Sequence, residues 1–287
     1  MIRKLIGWGV ATGFALLCVR ARALKRYSSP GTVLSLFGHD PKPEVLDALL
    51  RWLTRHDFTF VSTDEVLAMR AGAKPWQLRT AWLTFDDGWA GFEAQLLPIL
   101  EKYHAHATIF VAPGETARGQ IWTNSILSAV SAETIDRLYM LPVAERYAEV
   151  DAVLAKIGNP RRLAPEEELR RLATHPLITL ENHTYSHLSC GNRPTEEVLA
   201  EVEKTQQLLT DWTGRVPKLC CYPFGHYTDA TDAGLRAMGL IPVHSNPGVM
   251  TVNALGDCRN MFHETMGVTE NVGRVLGAWK KVHVRTW

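Results

Sequence analysis

From Thr32 onward the chain alternates short apolar runs with amphipathic stretches, and this alternation narrows the available folds more than any other property. Repeated strand-helix units of this kind build a mainly parallel sheet covered by helices. Strands are expected at Val33–Phe37, Phe58–Val61, Ala81–Phe85, Ala107–Val111, Leu177–Leu180, Leu219–Tyr222, Leu240–Val243 and Asn260–Phe262. Helices are expected at 43–53, 63–69, 92–103, 144–157, 166–173, 196–212, 229–238 and 271–281. The 196–212 helix is the clearest: Val198, Val202, Leu208, Leu209 and Trp212 mark one face, Thr195 is placed to cap it, and Gly214 stops it. A chain of 287 residues, 46% of them apolar, can bury one large core, so a single α/β domain is expected. The stretch at about 114–165 breaks the alternation and is too long for an ordinary connection. It reads as a helical insertion at a strand exit, where insertions commonly shape a substrate site.

Two motifs carry chemistry. Thr84-Phe85-Asp86-Asp87-Gly88 ends an apolar run, so its two carboxylates sit at the exit of a strand, where parallel folds place their sites. One carboxylate can bind a cation while the other takes a proton, and Gly88 permits the tight turn that exposes both. The second motif, His183-Thr184-Tyr185-Ser186-His187, follows Leu177-Ile178-Thr179-Leu180 and offers two imidazoles four residues apart. Together they spell an Asp/His/His metal site with open positions for water and substrate, the arrangement of hydrolytic metal catalysis. A single Asx turn or a pair of surface histidines would explain either motif alone, but not both. His39 closes the first strand and is a candidate for the rim of the site, as are His226 and His244. Trp89, Trp122, Tyr185, Tyr222 and Phe224 are candidates for stacking on a sugar ring, against the simpler reading of core aromatics.

A formal net charge of +1 gives no basic footprint for nucleic acid, and no DNA- or RNA-binding motif is present. Cys18, Cys190, Cys220, Cys221 and Cys258 are odd in number and lack metal spacing, so they read as small buried residues rather than disulfides. The N-terminal residues 1–30 combine an apolar run, Leu5 to Val19, with flanking basic residues. More positive charge follows the run than precedes it, so a membrane-associated chain with its domain, residues 31–287, on the cytoplasmic side is expected, a periplasmic enzyme being the alternative.

With both motifs in order, the chain resembles the polysaccharide deacetylase family with the NodB-homology domain, carbohydrate esterase family 4. The likeness extends from about Thr32 to Gly248 and includes Leu97-Pro98-Ile99-Leu100, Ala107-Thr108-Ile109-Phe110-Val111 and Cys221-Tyr222-Pro223-Phe224-Gly225. The resemblance implies a distorted (β/α)7 barrel. It implies that Asp87, His183 and His187 hold a divalent ion, zinc first with cobalt, nickel or iron as substitutes, and that Asp86 is the general base. Tyr222, Pro223 and Phe224 would supply a groove wall, with Trp89, Trp122, His39 and Arg259 as further substrate contacts. Two departures stand out. The arginine that many relatives carry two residues before the proline of the third motif is Cys221 here, and Arg259 is the candidate to replace it as partner of the base. The late histidine that serves many relatives as general acid has no clear match, leaving His244 and His263 as candidates.

The expected activity is metal-dependent removal of N- or O-acetyl groups from a polysaccharide or lipid-linked sugar. The alternatives are deformylation or deacylation of a lipid-linked sugar, a catalytically weak carbohydrate-binding relative, and a metal-free scaffold.

Overall fold

The computed structural model describes residues 21, 24–158 and 162–277. The expected membrane-associating run and Cys18 lie outside the described residues. In chain order the elements are β1 (Thr32–Gly38), α1 (Pro43–Thr54), β2 (Thr59–Phe60), α2 (Thr63–Arg70) and β3 (Thr80–Asp86). A π-helical turn at Phe92–Leu96 leads into α3 (Leu97–Tyr103), then β4 (Ala107–Val111). The long connection holds α4 (Pro113–Arg118), α5 (Trp122–Ile126), α6 (Ala132–Met140), α7 (Val143–Ile157) and α8 (Glu166–Ala173) before β5 (Ile178–Asn182). The rest comprises α9 (Thr195–Thr213), β6 (Leu219–Cys221), α10 (Asp229–Ala237), β7 (Ile241–Val243), β8 (Met250–Thr251), β9 (Asn260–Met261) and α11 (Val268–Val275).

Each expected strand is present, its ends shifted by a residue or two. The strand order is β7-β6-β5-β4-β3-β1-β8, with β2 beside β3 and β9 beside β1. All pairs are parallel except β1 with β8, a strand too short for its alternation to be read. The path is open rather than a closed ring, so the barrel is a half-barrel.

Alternation along the strands separates two cores. Leu34, Leu36, Ala81, Leu83, Phe85, Ile109 and Leu180 pack outward under helices with Leu46, Leu49 and Leu169. Val33, Trp82, Phe110, Leu219, Cys221 and Val243 fill the concave side. By the same parity Thr84 and Asp86 on β3 point to the concave side. The adjacent cysteines divide between faces: Cys221 joins the concave cluster and Cys220 packs outward with Leu188, Cys190 and Val198. Cys190, Cys220, Cys221 and Cys258 are free thiols.

Helix ends show small corrections. Helix α9 begins at Thr195 itself, with Pro194 at the cap and no side-chain cap bond, because proline carries no side-chain acceptor and the threonine is already inside the first turn. Gly214 ends it in the left-handed region, φ 69°. Helix α11 begins at Val268, and the end expected at Lys281 lies outside the described residues.

Candidate metal centre and active site

The exits of β3 and β5 converge because a parallel sheet lines up its C-terminal ends. At the end of β3, Asp86 is the last strand residue, while Asp87 and Gly88 turn left-handed, φ 77° and 73°. That conformation costs a non-glycine residue on the order of 1–3 kcal/mol, and it swings the second carboxylate across the mouth of the sheet. At the end of β5, Asn182 Oδ1 accepts from Thr184 N at 2.9 Å and Thr184 is left-handed at φ 60°. His187, also left-handed at φ 49°, completes a compact loop that returns its ring toward His183.

Asp87, His183 and His187 are all buried. Asp87 Oδ1 lies 3.5 Å from His183 Nε2 and 3.2 Å from His187 Nε2. These atoms are within 4.8 Å of one another, and Asp87 Oδ1 has no hydrogen-bond partner in the protein. His183 Nδ1 is 2.8 Å from the Cys221 carbonyl, which can only accept. Nδ1 therefore donates to it, which leaves Nε2, on the Asp87 side, as the nitrogen available to ligate an ion. Tetrahedral coordination with bonds of about 2.0–2.1 Å separates ligand atoms by about 3.3–3.4 Å, close to the two distances seen. The donor set fits a small divalent ion.

Asp86 is held differently. Arg259, fully buried, grips it with both arms: Nη1 to Oδ1 at 2.7 Å and Nη2 to Oδ2 at 2.9 Å. The guanidinium also donates to Thr84 Oγ1, to Ser245 Oγ and to the Cys221 sulfur, at 3.0, 3.1 and 2.8 Å. Its carbon lies 4.5 Å over the Phe37 ring. Burial opposes ionisation of Asp86, but the charge and hydrogen bonds of Arg259 outweigh it and hold the carboxyl below its ordinary value. Cys221, two residues before Pro223, is a small side chain in contact with the guanidinium of Arg259, the residue just ahead of β9.

A cavity of about 160 Å³ opens onto these groups, lined by Phe37, His39, Asp86, Asp87, Ile121, Asn124, His183, His187, Tyr222, Phe224, Gly225, Ser245 and Met261. His39, 36% exposed, reaches it from the end of β1, with Nδ1 3.9 Å from Glu264 Oε1. The Phe224 ring stands edge-on to His187 at 4.5 Å.

Other expected contacts lie elsewhere. Arg259 is behind Asp86 rather than on the cavity wall, because all its reach is spent on buried acceptors. His244 Nε2 faces Asp232 Oδ1 at 3.0 Å, its ring clustered with those of Tyr222 and Tyr227. His263 is tied to the start of α11, its N–H donating to Asn271 Oδ1 at 2.6 Å and its Nδ1 accepting from Thr265 N at 3.3 Å. Neither lines the cavity. Trp122 is core of the insertion, packed with Ile126, Ile135 and Leu138. Trp89 pairs with Leu163 outside the cavity, and Pro223 is buried without lining it. Ile121, at the cap of the short helix α5, Asn124 within it, and Ser245 and Met261 were not anticipated; each is an uncharged side chain of a type common throughout the chain.

The fold and site define an α/β half-barrel with a carboxylate-histidine centre of hydrolase type at its strand exits. A model of the polysaccharide deacetylase family matches residues 74–243, more than half of the chain, and the chain belongs to that family. Among curated proteins it is similar to YxkH of Bacillus subtilis (strain 168), 22% identical over 209 residues, or 72% of this chain and 59% of that one. It is also 22% identical over 194 residues to the poly-beta-1,6-N-acetyl-D-glucosamine N-deacetylase of Staphylococcus aureus (strain MSSA476), or 68% of this chain and 57% of that one. The chain thus spans less than two thirds of both relatives. Among solved structures, IcaB from Ammonifex degensii superposes with a TM-score of 0.63 at 16% identity, covering 88% of this chain and 97% of that one. The Streptococcus pyogenes deacetylase PplD, solved with acetate, gives 0.60 at 20% identity, covering 86% and 99%. These likenesses establish the shared fold.

Proposed function

We propose that this chain is a metal-dependent deacetylase that hydrolyses the acetamido group of an N-acetylated sugar polymer or its lipid-linked precursor. The observation that carries the reading is the unpartnered Asp87 Oδ1 facing two imidazole Nε2 atoms at 3.2 and 3.5 Å. Membership of the polysaccharide deacetylase family and the N-deacetylase name of the Staphylococcus aureus relative support the choice of acyl group and sugar.

Asp87, His183 and His187 would hold the ion, zinc being the first choice for one carboxylate and two imidazoles. Bound there, a divalent ion supplies Lewis-acid polarisation of the substrate carbonyl and acidification of water. Asp86 accepts the proton of the attacking water. Its oxygens keep lone pairs free beside the two that Arg259 occupies, and the ion pair keeps it ionised. Water adds to the carbonyl carbon, the C–N bond breaks, and acetate and a free amine leave. His39 delivers the proton that the departing nitrogen needs: it lines the cavity from β1 and hydrogen-bonds to neither aspartate, unlike His244 and His263, which are engaged outside. Tyr222, Phe224, Phe37 and Met261 give apolar walls for a sugar face and an acetyl methyl. The expected membrane association through residues 1–30, with the domain on the cytoplasmic side, belongs to the same proposal and is read by protease accessibility in spheroplasts.

The test is elemental analysis together with acetate release from N-acetylglucosamine oligomers. One equivalent of divalent ion and turnover that chelation abolishes are expected, with His183→Ala deficient in both. Turnover that survives full chelation overturns the reading, and release of formate from formylated sugars in place of acetate redirects it.

A further inference from the structure

His183 and His187 are not held in the same way. The His183 ring is fixed by its Nδ1 contact with the Cys221 carbonyl, whereas His187 Nδ1 is buried with no hydrogen-bond partner in the protein. A metal-binding imidazole normally gives its second ring nitrogen to an orienting acceptor. Without that, the direction of the His187 ring is set by its packing on Phe224 and by the backbone that carries it, and this backbone is left-handed at both Thr184 and His187.

The loop is held from two sides. Glu201 on α9 takes the N–H groups of Tyr185 and Ser186 on one oxygen, at 3.0 and 2.7 Å. Arg146 on α7, inside the insertion, donates through Nη2 to the Ser186 carbonyl at 2.8 Å and to Ser186 Oγ at 3.0 Å. Trp122 Nε1, on α5 of the same insertion, donates to the His187 carbonyl at 3.3 Å. Gly114, at the start of the insertion, donates its N–H to the Tyr185 carbonyl at 2.8 Å, and a Cβ there would stand 2.6 Å from that oxygen. Arg146 is a costly residue to use: it is fully buried, its Nε and Nη1 lack acceptors, and its guanidinium carbon lies 4.8 Å over the Trp122 ring and 5.2 Å over that of Tyr147. A folded interior keeps such a cation only where it is needed or well compensated.

We infer that Arg146 is a positioning residue for the metal centre: from the insertion it clamps Ser186, and through the loop backbone it aims His187 at the ion. The insertion thereby helps load the metal as well as contributing Ile121 and Asn124 to the cavity wall. This rests on the functional reading above.

The test compares full-length wild type with Arg146→Met, Arg146→Lys and Ser186→Ala. Zinc affinity is measured by competition with a chromophoric chelator, the ligand field by the visible spectrum of the cobalt-loaded protein, and folding by the melting temperature without metal. Arg146→Met is expected to bind zinc about 10- to 100-fold more weakly and to alter the cobalt bands. Arg146→Lys, which keeps the charge but loses the fork, should recover part of the affinity. Ser186→Ala, which removes one of two acceptors and keeps the fold, is expected to lose about 5-fold. Wild-type affinity and spectrum in Arg146→Met overturn the inference, and so do they in Ser186→Ala if Arg146→Met does not fold. Wild-type protein that takes up no ion overturns the functional reading and this inference with it.

Discussion

Asp86 and Glu181 occupy one register row of the sheet, two strands apart, with Phe110 between them, and both face the concave side. Each is buried and each has an arginine, yet they are pushed in opposite directions. Arg259 is sealed from solvent and meets both oxygens of Asp86, and the carboxyl is held below its ordinary value. Arg215 keeps 29% of its side chain exposed, meets one oxygen of Glu181 at 3.0 Å and shares itself with Asp64 at 2.8 Å. Burial then dominates, and Glu181 is pushed up to about 7. The other Glu181 oxygen is consumed by the N–H groups of Lys218 and Leu219, at 2.7 and 2.8 Å, fastening the start of β6. The pair shows that an arginine neighbour does not by itself hold a buried carboxyl low: the fork must be complete, dry and undivided.

The sharpest way to break this contrast is to neutralise each carboxylate in turn. Asp86→Asn should lower kcat for deacetylation by about 10²–10⁴-fold, the usual contribution of a positioned base, read on protein whose fold is confirmed because the change also leaves Arg259 a buried cation without its counter-charge. Glu181→Gln should leave kcat within a few-fold, and an equal loss from both would show that the two sites are not distinct in role.

Next come the arginines. Arg259→Met leaves Asp86 buried and unpaired, so a loss of about 3–5 kcal/mol in urea unfolding is expected. In the surviving protein the Asp86 carboxyl climbs, and the acid limb of kcat/KM moves to higher pH. Arg215→Met should cost less, because Glu181 already titrates near neutrality and can take a proton in place of its partner.

The pH dependence of stability sharpens the same difference. Glu181 titrates near 7 in the folded protein against 4.5 ordinarily. Between those values the folded chain keeps a proton that the unfolded chain has released, so stability falls as pH rises across the window and levels off above it. The fall is up to about 3 kcal/mol. Chemical denaturation at pH 5 and pH 8 should show a smaller difference in Glu181→Gln than in wild type. Asp86 contributes with the opposite sign: its lowered carboxyl adds stability above the ordinary aspartate range, lost only as pH falls through its own, lower value. Smallest of all, Asp64→Asn, which removes a half-exposed partner of Arg215 and Lys218, should change stability by under about 1 kcal/mol.

Much of this was legible in the chain. The strands could be read because a parallel sheet buried on both faces needs continuous apolar runs, and Thr84–Gly88 and His183–His187 stood out because their residue types are costly at buried strand exits. The partner of Asp86 was legible only as a possibility, since Arg259 reaches it from the residue just ahead of β9, which joins the sheet beside β1. The two candidates for the acid lie off the cavity. His244 and His263 are near the late motif in sequence, but one is drawn to Asp232 on α10 and the other to α11, whereas His39 comes to the cavity because β1 lies next to β3. The cavity wall from α5 was not legible, because a helix of five residues shows no periodicity.

Arg259 has a consequence for how the molecule is made. Both aspartates and both histidines have left the ribosome, and the segment matched by the family model has been synthesised, while the guanidinium that belongs against Asp86 is still to be translated. Until Arg259 emerges and the strand that follows it joins the sheet, the nascent chain holds a desolvating carboxylate with no counter-charge. Assembly of the buried ion pair is therefore deferred until after the segment that the family model matches has been made.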